Sequence, residues 1–278
     1  MQLGGLNVTG YSLGGVETAV HLPELRLAFD VGRGRQALVR CDHLALTHTH
    51  MDHAGGLPYL LALRMLYGMA PPTIYVPAQM ADALHAMLRG WEALQRYPFR
   101  STVVACEPGE RYPLTRELYL VPFRTYHPVP SNGYTVMRDT KKLRTELIGI
   151  DGQELARMKK AGEVIERIET RALLSVTGDT LPEVLDKQPH ILDSEALVIE
   201  CTFLDERKAI ADARAGGHVH LAELMPYAEA FRSKQLVLSH TSQLYQPEEV
   251  MPLLAGFRAR LRSETELIAF PMMPGPDA

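Results

Sequence analysis

The sequence of 278 residues predicts an α/β fold in which two mixed sheets face each other and helices cover their outer sides. Two observations predict this architecture. Short apolar runs of strand length alternate with segments of helical periodicity in both halves of the chain. Several of these runs end in a polar residue, which is typical of strands whose ends line a site at a sheet edge. No linker rich in Pro, Gly or Ser divides the sequence, so we expect one domain over residues 1–278.

The first half of the chain supplies most of the predicted elements. In chain order, the predicted strands are 25–31, 43–47, 73–76, 102–106, 118–121 and 134–137, and the predicted helices are 56–67, 78–97 and 152–162. The helix at 78–97 carries an apolar stripe at helical spacing, which we expect to belong to the core. The stripe consists of Leu84, Met87, Leu88, Trp91 and Leu94.

The second half repeats one pattern three times. The apolar runs 172–177, 196–199 and 236–239 each read as a buried strand that is followed by polar residues. Helices are predicted at 221–232 and 247–260, and Pro247 suits the first position of the latter helix.

Three histidines and an aspartate crowd into six residues after the predicted strand 43–47. The run reads His48-Thr49-His50-Met51-Asp52-His53. Imidazole and carboxylate ligands at this density suit zinc or a similar divalent ion. The alternative is a polar, solvated turn, but such a turn does not need so many titratable groups beside an apolar strand. We therefore predict a metal site here.

A site for two metal ions needs more ligands than this cluster offers, roughly seven or eight positions around the ions. The best further candidates are His127, Asp179 and His240, because each follows a predicted strand. An isolated histidine is usually structural or exposed, so these assignments depend on the shared placement and on the cluster itself.

The spacing H-x-H-x-D-H resembles the signature of the metallo-β-lactamase superfamily, which implies an αββα sandwich and a two-metal hydrolase. The chain is also similar to tRNase Z (ribonuclease Z), the endonuclease that trims the 3′ trailer of precursor tRNA, and most of all to its short, plant-type form. The similarity covers about residues 14–254. Besides the cluster, it includes Leu27 to Arg33, Leu66 to Ile74, Lys142 to Gly162, Thr177 to Thr180, Glu200 to Asp205, Gly217-His218 and His240.

The resemblance implies a role for each candidate residue. One zinc ion is expected at His48, His50 and His127, and a second at Asp52, His53 and His240, with Asp179 bridging them. A hydroxide between the ions would attack the scissile phosphodiester, and Asp52 would orient or deprotonate it. Glu200 and His218 match a pair that provides a proton to the leaving 3′-oxygen of the tRNA.

The region that would grip the RNA departs from the family. Bacterial tRNase Z carries a long arm rich in Gly and Pro between the positions matching His127 and Asp179, and this chain has no such run there. A basic stretch at 138–160, with seven basic and four acidic residues, occupies the same interval. It is either a replacement phosphate-binding edge or a solvated charged segment. The family often forms homodimers, so a homodimer is a further expectation.

Composition restricts the cellular context. The net charge of −4 does not indicate a nucleic-acid-binding protein, although a basic patch can exist on a chain of negative net charge. Three cysteines are too few for a disulfide framework and fit a reducing compartment. The N-terminus shows no secretory signal and no apolar run reaches the length of a membrane span, so we expect a cytoplasmic protein without membrane partners.

Three functions are open at this point. The first is a zinc-dependent endoribonuclease acting on the 3′ end of precursor tRNA. The second is a hydrolase of the same fold acting on a small phosphodiester or another small ester, which the missing arm and the acidic charge favour. The third is a binding module without catalysis, and the Glu200–His218 pair argues against it, because binding alone needs no proton donor.

Overall fold

The structure, a computed structural model, describes residues 1–272. Residues 273–278, the end of the predicted single domain, lie outside this description. The strands are β1 Gln2–Leu3, β2 Leu6–Asn7, β3 Thr9–Gly14, β4 Glu17–Leu22, β5 Leu27–Phe29, β6 His43–Ala45, β7 Thr73–Pro77, β8 Thr102–Cys106, β9 Tyr112–Pro113, β10 Leu118–Arg124, β11 Asn132–Leu143, β12 Glu166–Val176, β13 Ala196–Glu200, β14 Gln235–Ser239, β15 Thr241–Ser242 and β16 Glu266–Ala269. The α-helices are α1 Met51–Ala54, α2 Leu57–Leu66, α3 Ala81–Gln95, α4 Gly152–Lys160, α5 Glu183–Lys187, α6 Ile210–Ala215, α7 Leu221–Leu224, α8 Pro247–Leu253 and α9 Ala255–Arg258.

The strands form two seven-stranded sheets and one small hairpin. The first sheet has the order β15-β3-β4-β5-β6-β7-β8, the second has the order β16-β14-β13-β12-β11-β10-β9, and β1 pairs with β2. Both sheets are mixed: β5 to β8 run parallel, as do β12, β13, β14 and β16. All five residues of β13 are buried, which is expected for a parallel strand covered on both faces.

The two sheets pack face to face across an apolar layer. The ring of Phe29 in the first sheet lies 6.1 Å from the ring of Tyr134 in the second. The Tyr134 hydroxyl donates a 2.9 Å hydrogen bond to the carbonyl of Leu46 and so satisfies its own buried polar group. Further apolar layers lie outside the sheets, with α2 and α3 against the first sheet and α7 to α9 against the second.

Parallel strands bring the predicted site residues to one edge. His48 follows β6, Asp179 follows β12, Glu200 ends β13, and His240 follows β14 directly. Because the carboxyl ends of parallel strands meet at the same edge of a sheet, residues distant in sequence meet there.

The structure corrects several sequence-based expectations. In α3 only Leu84 and Leu88 are buried, whereas Trp91 is 49% and Leu94 75% exposed, so the expectation that the whole stripe is core was wrong. The helix predicted at 221–232 stops at Leu224 and continues as a 3-10 helix, Met225–Ala230, because Pro226 cannot donate a backbone hydrogen bond. The N-terminal strands β1 to β4 and the last strand β16 were not predicted.

The basic stretch belongs to a long hairpin. Strand β11 extends to Leu143, six residues beyond the predicted end, and pairs with β12 from Tyr134 to Leu143. The connection between these strands holds α4, which confirms a helix within the predicted range 152–162. A short arm of two strands and one helix therefore projects from the second sheet. Among residues 1–272, no helix is both long and apolar enough to span a bilayer.

Candidate metal centre

The seven predicted metal ligands lie together at the strand ends. Their ligand atoms form two groups in which all atoms lie within 4.8 Å of one another. The first group is His48, His50, His127 and Asp179, and the second is Asp52, His53 and His240. The histidines and Asp52 divide between the two groups in the same way as in the predicted ligand sets. Asp179 belongs to the first group and, with His218 and His240, to a further one.

Asp179 lies between the histidines of both groups. Its Oδ1 is 3.2 Å from Nε2 of His53 and 3.4 Å from Nε2 of His240, and its Oδ2 is 3.7 Å from Nε2 of His48. The preceding Gly178 makes this approach feasible. It has a φ of +61°, and a Cβ at this position would lie 2.5 Å from Thr47.

Two buried atoms of the cluster lack a well-formed hydrogen bond among the described residues: Nε2 of His48, and Oδ1 of Asp179, whose 3.2 Å approach to Nε2 of His53 is an ion-pair contact. A buried polar atom left unpaired costs about 1–3 kcal/mol, so such atoms call for an explanation. Both point to metal ligation, since an imidazole nitrogen and a carboxylate oxygen are ligands that divalent transition metals accept. The donor set therefore fits two divalent ions.

The surroundings of His48 and Asp179 shift the pKa of each group toward the form that binds a cation. Burial, together with the neighbouring His53, holds the pKa of His48 well below its ordinary value, so this ring is neutral. Burial alone would raise the pKa of Asp179, but His240 and His53 hold it well below its ordinary value. A neutral imidazole and an ionised carboxylate are the forms that bind metals.

His53 differs from the other ligands. Burial would lower its pKa, but Asp179 and Asp30 raise it well above the ordinary value. Nδ1 of His53 lies 2.7 Å from Oδ2 of Asp30, so this nitrogen is already engaged. A metal ion at Nε2 must therefore displace a proton from that atom, and metal binding here is coupled to proton release.

The predicted proton-donor pair lies beside the cluster. Nδ1 of His218 is 3.1 Å from Oε1 of Glu200 and 3.9 Å from Oδ2 of Asp179. Burial alone would lower the pKa of His218, but the Glu200 carboxylate raises it to about 9. His218 is thus held as a proton-bearing group next to the metal ligands.

Sequence reasoning missed three residues that support the ligands: Asp30, Thr47 and Thr202. Asp30 accepts hydrogen bonds from the Thr47 backbone and side chain as well as its contact with His53. Asp30 directly follows β5, as other site residues follow strands, but the predicted strand 25–31 placed it inside a strand and so hid this signal. The two threonines stand next to or near predicted ligands but carried no signal of their own.

His220 and Cys201, which flank the proton-donor pair in sequence, have structural surroundings. Nδ1 of His220 accepts the N–H of Ala222 and caps α7, as expected of a structural residue. Cys201 is fully buried in the apolar layer outside the second sheet. The three cysteines are free thiols.

Comparisons with known proteins agree with this geometry. A family model described as a beta-lactamase superfamily domain matches residues 19–241. The protein tRNase Z TRZ1 of Arabidopsis thaliana is 37% identical over 253 residues, with 90% of each chain covered. The crystal structure of human tRNase Z, short form, has a TM-score of 0.61 at 21% identity, and covers 96% of this chain and 97% of that one. The metallo-beta-lactamase fold protein YhfI from Bacillus subtilis has a TM-score of 0.64 at 17% identity over 95% of this chain and 96% of that one. The predicted αββα sandwich is confirmed.

Proposed function

The chain belongs to the tRNase Z family of the beta-lactamase superfamily, and from this premise we propose that it is a metal-dependent endoribonuclease that removes the 3′ trailer of precursor tRNA. The observation that carries the proposal is the placement of the Glu200–His218 pair beside two groups of candidate metal ligands. Cleavage of a phosphodiester needs a nucleophile on one side of phosphorus and help for the leaving oxygen on the other. The site offers residues for both.

We assign the two groups of ligands to two ions, most simply zinc because imidazole nitrogens dominate. One ion would be held by His48, His50 and His127, and the other by Asp52, His53 and His240, with Asp179 shared. When bound, such ions lower the pKa of water and neutralise charge that develops on the phosphate.

We assign the two proton transfers of the reaction to residues of the chain, one at the attacking water and one at the leaving oxygen. Oδ2 of Asp52 accepts the backbone N–H of Gly15 at 3.0 Å, which holds this carboxylate in place. Burial would raise the pKa of Asp52, but its contact with His240 keeps it well below the ordinary value, so the group is an acceptor. We assign Asp52 to orienting or deprotonating the attacking water. His218 donates its proton to the leaving 3′-oxygen, and Glu200 holds the ring for that donation.

The arm formed by β11, α4 and β12 supplies a surface for RNA backbone. Lys141, Lys142 and Arg144 are exposed along it, and we propose that they bind phosphate groups of the substrate. The short arm and the net charge of −4 favour a second candidate, hydrolysis of a small phosphodiester at the same metal centre. The two candidates share every assigned catalytic residue and differ only in what this arm binds.

We further propose a homodimer whose copies meet through the outer face of α2 and α3. Tyr59, Trp91 and Leu94 are 61%, 49% and 75% exposed there, and a pocket of about 320 Å³ opens beside Trp91 and Met51. A large exposed apolar surface marks an interaction site, and the second copy is the partner that the family favours.

Three buried free thiols support a reducing location such as the cytoplasm, and we propose that the whole chain acts as one domain.

The decisive experiment compares two substrates. Protein loaded with zinc is incubated with a precursor tRNA bearing a 3′ trailer and, separately, with a small chromogenic phosphodiester. His50→Ala removes one ligand, and His85→Ala, an exposed histidine on α3, is the matched control. Cutting at the trailer junction that is lost only in His50→Ala supports the proposal. Turnover of the small diester with the precursor left intact would overturn it in favour of the second candidate.

A further inference from the structure

A single hydroxyl joins the proton-donor pair to the metal centre. Oγ1 of Thr202 lies 2.6 Å from Oε2 of Glu200 and 3.0 Å from Nδ1 of His240. All three side chains are buried, so water does not compete for these contacts. The direction of each hydrogen bond depends on which atom carries the proton.

The hydrogen bonds of Glu200 identify the donor in its contact with Thr202. Its Oε1 accepts the backbone N–H of Thr180 at 2.8 Å and faces Nδ1 of His218 at 3.1 Å. Its Oε2 accepts the backbone N–H of Val219 at 3.2 Å and the Thr202 hydroxyl. A carboxylate oxygen can only accept in such contacts, and the Thr202 hydroxyl is the member of this pair that has a proton to give. The Thr202 hydroxyl must therefore donate to Glu200.

A hydroxyl has only one proton, so Thr202 can meet His240 only as an acceptor. Nδ1 of His240 must then carry a proton and donate it to Oγ1 of Thr202. Because Nδ1 is committed to Thr202, Nε2 is the ring nitrogen left for a metal ion. That atom lies 3.4 Å from both Asp52 Oδ2 and Asp179 Oδ1, which is where the metal ligands meet.

The first sheet repeats the arrangement. Oγ1 of Thr47 donates to Oδ2 of Asp30 at 2.8 Å and lies 3.1 Å from Nδ1 of His48. Asp30 also accepts the backbone N–H of Thr47 at 2.7 Å and faces Nδ1 of His53. Because the Thr47 hydroxyl donates its only proton to Asp30, it can meet His48 only as an acceptor. Nε2 of His48 is then the nitrogen left for an ion, and this buried atom has no hydrogen-bond partner among the described residues.

We propose that Thr47 and Thr202 are positioning residues that fix the tautomers of His48 and His240, so that each ring offers Nε2 to a different metal ion. The proposal rests on the proposed metal centre and deepens it. Each threonine hydroxyl donates its proton to a buried carboxylate and therefore accepts the Nδ1 proton of one histidine ring. Because His48 and His240 belong to different ligand groups, each hydroxyl controls the affinity of one ion.

The first test needs only the wild-type protein loaded with zinc. Nitrogen NMR of the histidine rings distinguishes a protonated from a metal-bound nitrogen, and His48→Ala and His240→Ala assign the two signals. We expect a slowly exchanging proton on Nδ1 of both rings. A proton on Nε2 of either ring would overturn the proposal, whatever the variants do.

The second test measures zinc affinity by competition with a chelator. Thr202→Val and Thr47→Val should each weaken one of two bound ions by about 10- to 100-fold, and the double variant should weaken both. Thr202→Ser and Thr47→Ser should restore wild-type affinity because they keep the hydroxyl. Thr265→Val is the matched control, since its buried hydroxyl bonds the Ser233 carbonyl instead of a histidine.

The outcomes separate this proposal from the metal centre. Two wild-type zinc ions with unchanged affinities in both valine variants would overturn the tautomer proposal and leave the metal centre intact. Failure of the serine variants to restore affinity would also overturn it, because a general packing defect would then explain the loss. A wild-type protein that binds no zinc would overturn both.

Discussion

Nδ1 of His218 lies 3.1 Å from Oε1 of Glu200, although the two residues belong to different elements separated by α6. Glu200 ends a buried strand, and His218 lies in the loop before α7. The contact joins a fixed carboxylate to a ring that remains 20% exposed, which is the arrangement expected of a proton donor that must meet its substrate.

His218→Asn tests this role while sparing the contact, because the asparagine amide can still donate to Glu200. We expect kcat on precursor tRNA to fall by about 10²- to 10⁴-fold, the usual contribution of general acid–base catalysis, with bound zinc unchanged. A chromogenic diester with an acidic leaving group should be affected far less, since that group leaves without a proton. Equal losses on both substrates would contradict the assignment.

Removing Glu200 should change the titration of His218 in a defined direction. The carboxylate raises the pKa of His218 to about 9 against the lowering effect of burial, so the ring is protonated below that pH and loses its proton above it. In Glu200→Ala the largest attraction is gone, whereas burial and the weaker attraction of Asp179 and Asp52 remain, so the pKa of His218 should fall from about 9. NMR titration of the metal-free protein measures both values. A pKa that stays near 9 in Glu200→Ala would show that another group holds the proton.

Much of the site could be predicted because its ligands follow apolar strands whose carboxyl ends meet at one edge. His48, Asp179 and His240 needed only that rule together with the family pattern. Thr47 and Thr202 could not be found this way, because their importance lies in distances between strands that the sequence does not contain. The exposure of Trp91 was also beyond sequence reasoning, since periodicity shows which face of a helix is apolar but not whether anything covers it.

Asp179 should determine the binding of both ions, because its oxygens approach histidines of both groups. Asp179→Ala should abolish tight binding of two zinc ions, whereas His127→Ala should weaken mainly one. Zinc should raise the Tm of the wild type but not that of Asp179→Ala, since a ligand stabilises only the state it binds. Asp212→Ala, an exposed aspartate on α6, is the control. Two tightly bound zinc ions in Asp179→Ala would refute the bridging role.

Charge reversal on the arm should weaken RNA binding in a salt-dependent way. Lys141, Lys142 and Arg144 changed to Glu together remove up to three phosphate contacts, so the slope of log affinity against log salt should flatten by about 2. Cleavage of a small diester should not change, because none of the three side chains belongs to the candidate ligand groups. Lys187, Arg116 and Arg260 changed to Glu provide the same charge change on exposed positions elsewhere. Equal effects of the two triple variants would exclude a specific role for the arm.

The exposed face of α3 should decide the oligomeric state. Trp91→Glu places a charge where the proposed homodimer would bury an aromatic ring, so sedimentation should show a shift from dimer to monomer. Ala86→Glu adds the same charge to the same helix but about 140° around its axis, and should leave the dimer intact. Met51, which lines the pocket beside Trp91, is flanked by His50 and Asp52, so the interface would lie next to the metal centre. The monomeric variant should therefore lose activity on precursor tRNA more than on a small diester. A wild-type protein that sediments as a monomer would contradict the proposed interface directly.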